Sequence, residues 1–142
     1  MKKSIVLTRA LSNKLLTLAQ KSPENEICGI VSGKDNILDK CYPVKNIALD
    51  QKTRFDMEPR QLLETMRLIR ENKETFKAIY HSHPATVAYP SHKDIQQAAY
   101  ENICYLIISL GTKGILELRA YDFYNESPDK KGVREIELSL QG

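Results

Sequence analysis

The chain has 142 residues, of which 42% are hydrophobic and 27% are charged, and its formal net charge is +3. This length and composition are typical of one soluble globular domain spanning residues 1–142, and so small a charge excess argues against a nucleic-acid-binding protein. No apolar run is long enough to span a bilayer or to form the core of a signal peptide, so we expect a cytoplasmic protein that does not enter membranes.

The first half of the chain predicts one helix, a hairpin and a polar connection. Leucines at helical spacing predict a helix over residues 8–20. A short apolar run over 27–33, followed after a turn by 36–44, predicts a β-hairpin. The polar segment 45–58 is expected to be an extended connection that contains a short strand around Phe55.

The second half alternates helices with strands. Pro59 suits the first turn of a second helix, residues 76–83 predict a strand, and residues 91–102 predict a third helix. Three more strands follow, the last of them as an edge or terminal strand: 104–110, 114–124 and 133–140. This order predicts an α/β (α+β) domain in which a mixed sheet is flanked by helices.

All three histidines of the chain lie in the segment "HSHPATVAYPSHKD". His81 and His83 are two positions apart at the end of a predicted strand, so their imidazoles should face the same side. Imidazole nitrogen is a good zinc ligand, and hydrolytic zinc sites use three protein ligands and one open position for water. Asp94 is the best candidate for the third ligand, because it falls in the first helical turn after a possible N-cap at Ser91.

Each part of this segment also has a simpler interpretation. An S-x-x-D sequence before an amphipathic run is a common helix start, and an isolated H-x-H is more often on the surface than in a metal site. The occurrence of both in this order favours the metal site. His92 is expected to face solvent beside it.

A hydrolytic metal site also needs a general base to take a proton from water. Glu24 and Glu26 precede the predicted hairpin and are the candidates, and the spacing does not choose between them. Either one could be an exposed acid in a polar loop. The odd number of cysteines, none in a C-x-x-C pair, predicts free or buried thiols, and Cys28 is most simply a small core residue.

These motifs resemble the JAMM family, the MPN-domain zinc metalloproteases. The family pattern has an upstream glutamate, then H-[ST]-H-P, then S-x-x-D after a short loop; this chain reads "ENEICGI" and "HSHPATVAYPSHKD". The resemblance implies a cytidine-deaminase-like MPN fold with a largely antiparallel sheet. It assigns the general base to Glu26 rather than Glu24, and the hydroxyl that supports the tetrahedral intermediate to Ser91. It also implies one Zn²⁺ per chain, held by His81, His83 and Asp94.

The resemblance further implies a metallopeptidase of the short prokaryotic type. Such an enzyme hydrolyses a peptide or isopeptide bond after the C-terminal Gly-Gly of a ubiquitin-like or sulfur-carrier protein. An extended tail could add to a strand edge near the site, for which residues 48–56 are the candidate, and Tyr89 is a candidate for lining the substrate groove.

Three other interpretations remain. One is a non-catalytic MPN scaffold that binds a protein partner, although such relatives usually lack a ligand. Another is a peptidase module of the cell-wall or phage-tail type, which usually adjoins a second hydrolase domain. A zinc deaminase is a weaker candidate, because its H-x-E…C-x-x-C signature is missing.

Overall fold

The computed structural model describes residues 3–100, 102–112 and 115–142. Its elements in chain order are β1 (Ser4–Thr8), α1 (Arg9–Gln20), β2 (Cys28–Lys34), β3 (Ile37–Val44), α2 (Pro59–Glu71), β4 (Thr75–His83), α3 (His92–Gln97), β5 (Cys104–Thr112), β6 (Ile115–Ser127) and β7 (Lys130–Gln141). The strands form one sheet that closes into a barrel in the order β1-β3-β2-β4-β5-β6-β7. Within the described ranges, no helix is both long and apolar enough to cross a membrane.

The strand pairings confirm the predicted mixed sheet. Four pairings are antiparallel and three are parallel, which makes the sheet largely antiparallel. Of the two predicted alternatives for 133–140, an edge strand or a terminal strand, the edge strand is wrong, because β7, the last strand in chain order, pairs with β6 on one side and with β1 on the other. β1 is absent from the predicted elements, since its five residues run directly into the leucine pattern of the following helix.

The core lies between α1 and the face of the sheet that this helix covers. α1 begins where predicted, because the Thr8 hydroxyl accepts a hydrogen bond from the Leu11 N–H at 3.2 Å and so caps the helix. Its apolar side packs against buried side chains of the sheet, among them Leu7, Val31, Leu38, Tyr80, Leu106, Ile108, Ala120 and Ile136. Successive residues of a strand point to opposite faces, so the burial of Tyr80 in this core directs its two neighbours His81 and Ile79 to the other face.

The segment 45–58, called the connector from here on, differs from the prediction. The short strand expected around Phe55 is reduced to one isolated bridge between Asn46 and Met57. Bends and turns occupy residues 49–53, so the predicted strand edge at 48–56 is not formed. The connector folds over the start of β2 instead of running alongside the sheet, as the hydrogen bond from the Glu26 N–H to the Gln51 carbonyl shows.

The third helix is shorter than the predicted 91–102. It ends at Gln97, and Ala98 adopts an extended conformation with ψ 105°. The Lys131 ammonium donates hydrogen bonds to the carbonyl oxygens of Ala98 at 2.5 Å and Ile95 at 3.4 Å, so a distant side chain replaces the next helical turn. Two positions of predicted elements lie outside the described residues: Glu101 and Gly114.

Candidate metal centre and active site

β4 and α3 bring three potential ligand groups together. The Nε2 atoms of His81 and His83 lie 3.1 Å apart, and each is 3.0 Å from Oδ2 of Asp94. The side chains of His81 and His83 are buried and that of Asp94 is partly buried, with exposed fractions of 2%, 3% and 9%. The two histidines share a face because they are alternate residues of β4, and Asp94 reaches them from the first turn of α3.

The chemistry of these donors fits a zinc ion. Nδ1 of His83 lies 2.8 Å from the Val87 carbonyl oxygen, which can only accept, so this nitrogen carries the proton and the Nε2 lone pair faces the other ligand atoms. With zinc–ligand bonds of about 2.0–2.1 Å, two ligands of a tetrahedral site lie about 3.3 Å apart. The distances of 3.0 and 3.1 Å are close to that spacing. Two imidazoles and a carboxylate are also a ligand set of hydrolytic zinc sites.

The electrostatic environment favours an ionised Asp94. Burial alone would raise the pKa of this carboxyl, but the neighbouring His81 and His83 rings and the Ser91 N–H outweigh burial and hold the pKa below its usual range. Burial lowers the pKa of His81 and so favours the neutral imidazole that binds metals. Burial also raises the pKa of the Cys28 thiol to about 12, which argues against a nucleophilic cysteine beside the site.

Ser91 and Asp94 form a reciprocal cap at the start of α3. The Ser91 hydroxyl oxygen accepts from the Asp94 N–H at 3.1 Å, and Asp94 Oδ2 accepts from the Ser91 N–H at 2.9 Å. The cap therefore fixes the same carboxylate oxygen that faces the two histidines. The Ser91 hydroxyl proton has no acceptor among the described residues, so the cap leaves it free to donate to another group.

Hydrogen bonds from side chains to its backbone carbonyl oxygens hold the loop 84–90 in place. Three consecutive carbonyl oxygens accept side-chain hydrogen bonds, those of Thr86, Val87 and Ala88. Their donors are, in the same order, Ser109, His83 and Tyr121. Ser109 and Tyr121 are absent from the predicted site; the single polar residue in the apolar run "CYLIISL" was a signal for the first of them.

Tyr89 lies on the exposed rim of the site. Its ring meets the Tyr121 ring edge to face, with centroids 5.6 Å apart, and 54% of the residue is exposed. This position agrees with an aromatic side chain that is available to a substrate. His92, the histidine that is not placed with the ligands, is exposed as predicted.

Glu26 occupies the position of a buried acid beside the ligands. The strand register pairs Cys28 with His81, and Glu26, two residues before Cys28, is close enough to His83 and Asp94 for their charges to act on its carboxyl group. It is 5% exposed, and its Oε1 atom has no hydrogen-bond partner in the part of the chain that the structure describes. Glu24 is exposed in the preceding loop. The structure therefore places Glu26, and not Glu24, at the candidate site.

Burial raises the pKa of Glu26 to about 8. The nearby His83 opposes this shift, whereas the negative charges of Asp94 and Asp50 add to it. A carboxyl group with such a pKa can hold a proton near neutral pH, which is a property of general acids and bases in enzymes.

A cavity of about 350 Å³ opens beside the ligands. His81 and Asp94 form part of its wall, and most of the remaining wall is apolar. Most of the apolar side chains come from the connector, from α2 and from β4 to β6, and the rest from the segment after α3: Phe55, Met57, Leu62, Ile79, Tyr105, Ile107, Phe123, Ala98, Ala99 and Tyr100. A cavity with polar groups at one end and apolar walls suits a binding site for part of a substrate.

The raised pKa of Glu26 predicts a pH-dependent stability. Between its ordinary value of 4.5 and about 8, the folded protein keeps this proton and the unfolded chain loses it, so stability falls as pH rises through that window. At about 1.4 kcal/mol per pKa unit, we expect the loss between pH 5 and pH 8 to be about 3 kcal/mol smaller in Glu26→Gln than in the parent protein. Urea unfolding of both proteins in a chelator measures this difference, and equal pH dependences would contradict it.

Comparison with known proteins agrees with this geometry. A family model described as prokaryotic homologs of the JAB domain matches residues 8–124. A CysO-cysteine peptidase of Mycobacterium tuberculosis is 27% identical over 135 residues, which are 94% of this chain and 92% of the relative. A desampylase of Haloferax volcanii is 27% identical over 93 residues, which are 64% of this chain and 67% of the relative.

Solved structures show the same fold. A protein from Desulfitobacterium hafniense superposes with a TM-score of 0.83 at 30% identity, over 96% of this chain and 92% of that one. A JAB1/MPN domain protein from Archaeoglobus fulgidus superposes with a TM-score of 0.61 at 16% identity, over 98% of both chains. The resemblance drawn from the motifs is thus confirmed, and the chain belongs to the family of prokaryotic homologs of the JAB domain.

Proposed function

We propose that the protein is a zinc-dependent metallopeptidase. It hydrolyses the peptide or isopeptide bond after the C-terminal Gly-Gly of a ubiquitin-like or sulfur-carrier protein, and it acts as a single domain in the cytoplasm. The observation that carries the proposal is the convergence of His81, His83 and Asp94 beside the buried Glu26. The names of two relatives, a CysO-cysteine peptidase and a desampylase, support the hydrolytic activity and the substrate class.

The residues of the site have complementary roles in this reaction. A zinc ion held by His81, His83 and Asp94 would lower the pKa of a water molecule and polarise the scissile carbonyl group. Glu26 accepts the proton of the attacking water and delivers it to the leaving amine. The buried position of Glu26 suits it to this role, because little bulk water competes for the proton that the carboxyl holds between the two steps.

Ser91 is proposed to donate a hydrogen bond to the oxyanion of the tetrahedral intermediate. We expect Ser91→Gly to lower kcat by about 10²- to 10³-fold, because one oxyanion donor is lost. Glycine is a suitable probe, since it costs only a few tenths of a kcal/mol at an N-cap and leaves α3 in place. Ser91→Thr, which keeps a hydroxyl group, should retain most of the activity. Equal kcat values for Ser91→Gly and the parent protein would assign Ser91 to capping alone.

The substrate tail is proposed to lie between the connector and the loop 84–90. The connector contacts His81 through Phe55, and the loop contacts His83 through Val87, so the ligands lie between these two segments. Both segments expose apolar side chains, among them Ile47, Leu49, Val87 and Tyr89. A tail cannot add to the predicted strand edge at 48–56, since bends and turns occupy 49–53.

Tyr89 is the residue of this rim that we expect to contact the substrate. Tyr89→Ala should raise KM for a protein substrate by about 3- to 10-fold, which corresponds to the loss of one exposed aromatic contact. The value of kcat should change little, because Tyr89 is not among the groups placed around the reacting bond. Steady-state kinetics with a carrier substrate measure both constants. An unchanged KM would remove Tyr89 from the substrate groove.

The proposal is tested with zinc-loaded protein and two carrier substrates. In one substrate the Gly-Gly terminus continues as a peptide extension, and in the other it is linked to a lysine side chain. Mass spectrometry should show cleavage directly after Gly-Gly, and a chelator should abolish it. Cleavage that is insensitive to chelators would contradict the zinc mechanism. A non-catalytic scaffold would bind the carrier and leave it intact, and a cell-wall peptidase would cleave a peptidoglycan fragment instead.

A further inference from the structure

Glu26 is positioned by its backbone rather than by its side chain. Its Oε1 atom has no hydrogen-bond partner among the residues described, and the ladders of β2 begin only at Cys28. The Glu26 N–H donates to the Gln51 carbonyl at 2.6 Å, and the Glu26 carbonyl accepts from Asn46 Nδ2 at 3.0 Å. Gln51 and Asn46 both belong to the connector, so the connector holds the Glu26 backbone, while two hydrogen bonds between Ile27 and Ser82 of β4 hold the next residue.

Asn46 is the residue that holds the connector together. It is 9% exposed, and its Nδ2 group donates to the carbonyl oxygens of Glu26 at 3.0 Å and Arg54 at 3.1 Å. Its Oδ1 atom accepts from the N–H groups of Ala48 and Asp56, both at 3.0 Å. A side-chain amide has two N–H donors and two acceptor positions, so Asn46 uses its full capacity. No shorter or singly functional side chain could join both arms of the connector to Glu26.

The same residue also fixes the contact between the connector and the metal ligands. Phe55 lies between Arg54 and Asp56, the two residues whose backbone groups Asn46 holds. The Phe55 ring stacks on the His81 ring, with centroids 4.5 Å apart and an interplanar angle of 25°. Nδ1 of His81 has no hydrogen-bond partner within the described ranges, so the ring is oriented by this stacking together with the contact of its Nε2 atom with Asp94 at 3.0 Å.

We propose that Asn46 is a positioning residue that sets the spacing between Glu26 and the ligands His81, His83 and Asp94. It acts through the Glu26 carbonyl on one side and through Phe55 on the other, and it contacts neither substrate nor metal. This inference rests on the proposed function for its effect on catalysis, but the placement of Glu26 by Asn46 can be measured without any substrate.

Asn46→Asp tests the two halves of this side chain separately. The aspartate keeps the acceptor oxygen for Ala48 and Asp56 but loses both donated hydrogen bonds, including the one to Glu26. We expect kcat to fall about 10- to 100-fold, because a small displacement of a catalytic group has effects of this size. KM should stay within about twofold, and zinc affinity, measured by chelator competition, should be unchanged because the three ligands are retained.

Ile136→Val is the matched control for a loss of stability without a change at the site. Ile136 is buried in the core on β7, away from the connector, and the substitution removes one methylene group. This variant should lower the melting temperature and leave kcat unchanged. An Asn46→Asp protein with the parent kcat, or with a raised KM and the parent kcat, would overturn the proposal.

Amide hydrogen exchange separates this inference from the proposed function. The Glu26 N–H should exchange faster in Asn46→Asp than in the parent protein and in Ile136→Val, while the amides of β2 keep their protection. Unchanged protection of the Glu26 N–H would overturn the positioning role whatever the activity. If the parent protein cleaves no Gly-Gly substrate, the proposed function fails, and the exchange result alone decides the role of Asn46.

Discussion

Glu26→Gln should lower kcat for cleavage after Gly-Gly by about 10²- to 10⁴-fold, the range typical of a lost general base. The amide has nearly the same shape as the carboxyl, so the fold and the zinc ligands should persist. Only the group that accepts the proton of the attacking water is removed. Initial rates with a saturating carrier substrate measure the effect, and metal analysis of the same sample should show one zinc ion per chain.

Glu24→Gln is the control for this experiment, because Glu24 lies two residues earlier and is exposed. Its activity should equal that of the parent protein. An unchanged rate in Glu26→Gln would show that another group takes the proton. A rate loss accompanied by loss of zinc would show that Glu26 acts on the metal site itself and not as the base.

Asp94→Ala should abolish stoichiometric zinc binding and, with it, activity. Asp94 supplies the oxygen that both histidine Nε2 atoms face at 3.0 Å, and it also completes the cap of α3. Loss of a residue that only supports a ligand lowers metal affinity by about 10- to 100-fold, so loss of a ligand should cost more than that. Isothermal titration of the chelator-treated protein with zinc measures the change.

His92→Ala is the matched control, since it removes the one histidine that the structure leaves exposed outside the ligand group. We expect its zinc affinity and activity to match those of the parent protein. Retention of tight zinc binding by Asp94→Ala would remove Asp94 from the ligand set. Loss of zinc in His92→Ala would show that the ligands are assigned to the wrong residues.

The convergence of the ligands could be predicted because it depends on local rules. The two-residue repeat of a strand places His81 and His83 on one face, and the capping geometry turns Asp94 towards them. The choice between Glu24 and Glu26 as the general base could not be made from local rules. It depends on the pairing of β2 with β4 and on a connector that folds over Glu26, and only the family pattern distinguished the two acids in the sequence.

The errors in the predicted fold also arise from contacts between residues that are distant in the sequence. At the end of α3, the carbonyl of Ala98 binds Lys131, which lies 33 residues further along the chain. The pairing of β1 with β7 joins the two ends of the chain, so neither strand shows by its own pattern that it has two neighbours. Helix starts and alternating strands depend on residues that are close together in the sequence, whereas these contacts join residues that are far apart in it.

The closed barrel has a consequence for how new specificities can arise in this architecture. Most strands of this sheet are paired on both sides, although β3 pairs with β1 only at Ile37 and Leu38. Under the proposed function, discrimination between substrates therefore falls mainly to the connector and to the loop 84–90. Surface segments of this kind tolerate insertions far better than strands do. Longer sequences inserted into the connector or into this loop are therefore the changes most suited to altering substrate specificity while the barrel keeps its structure.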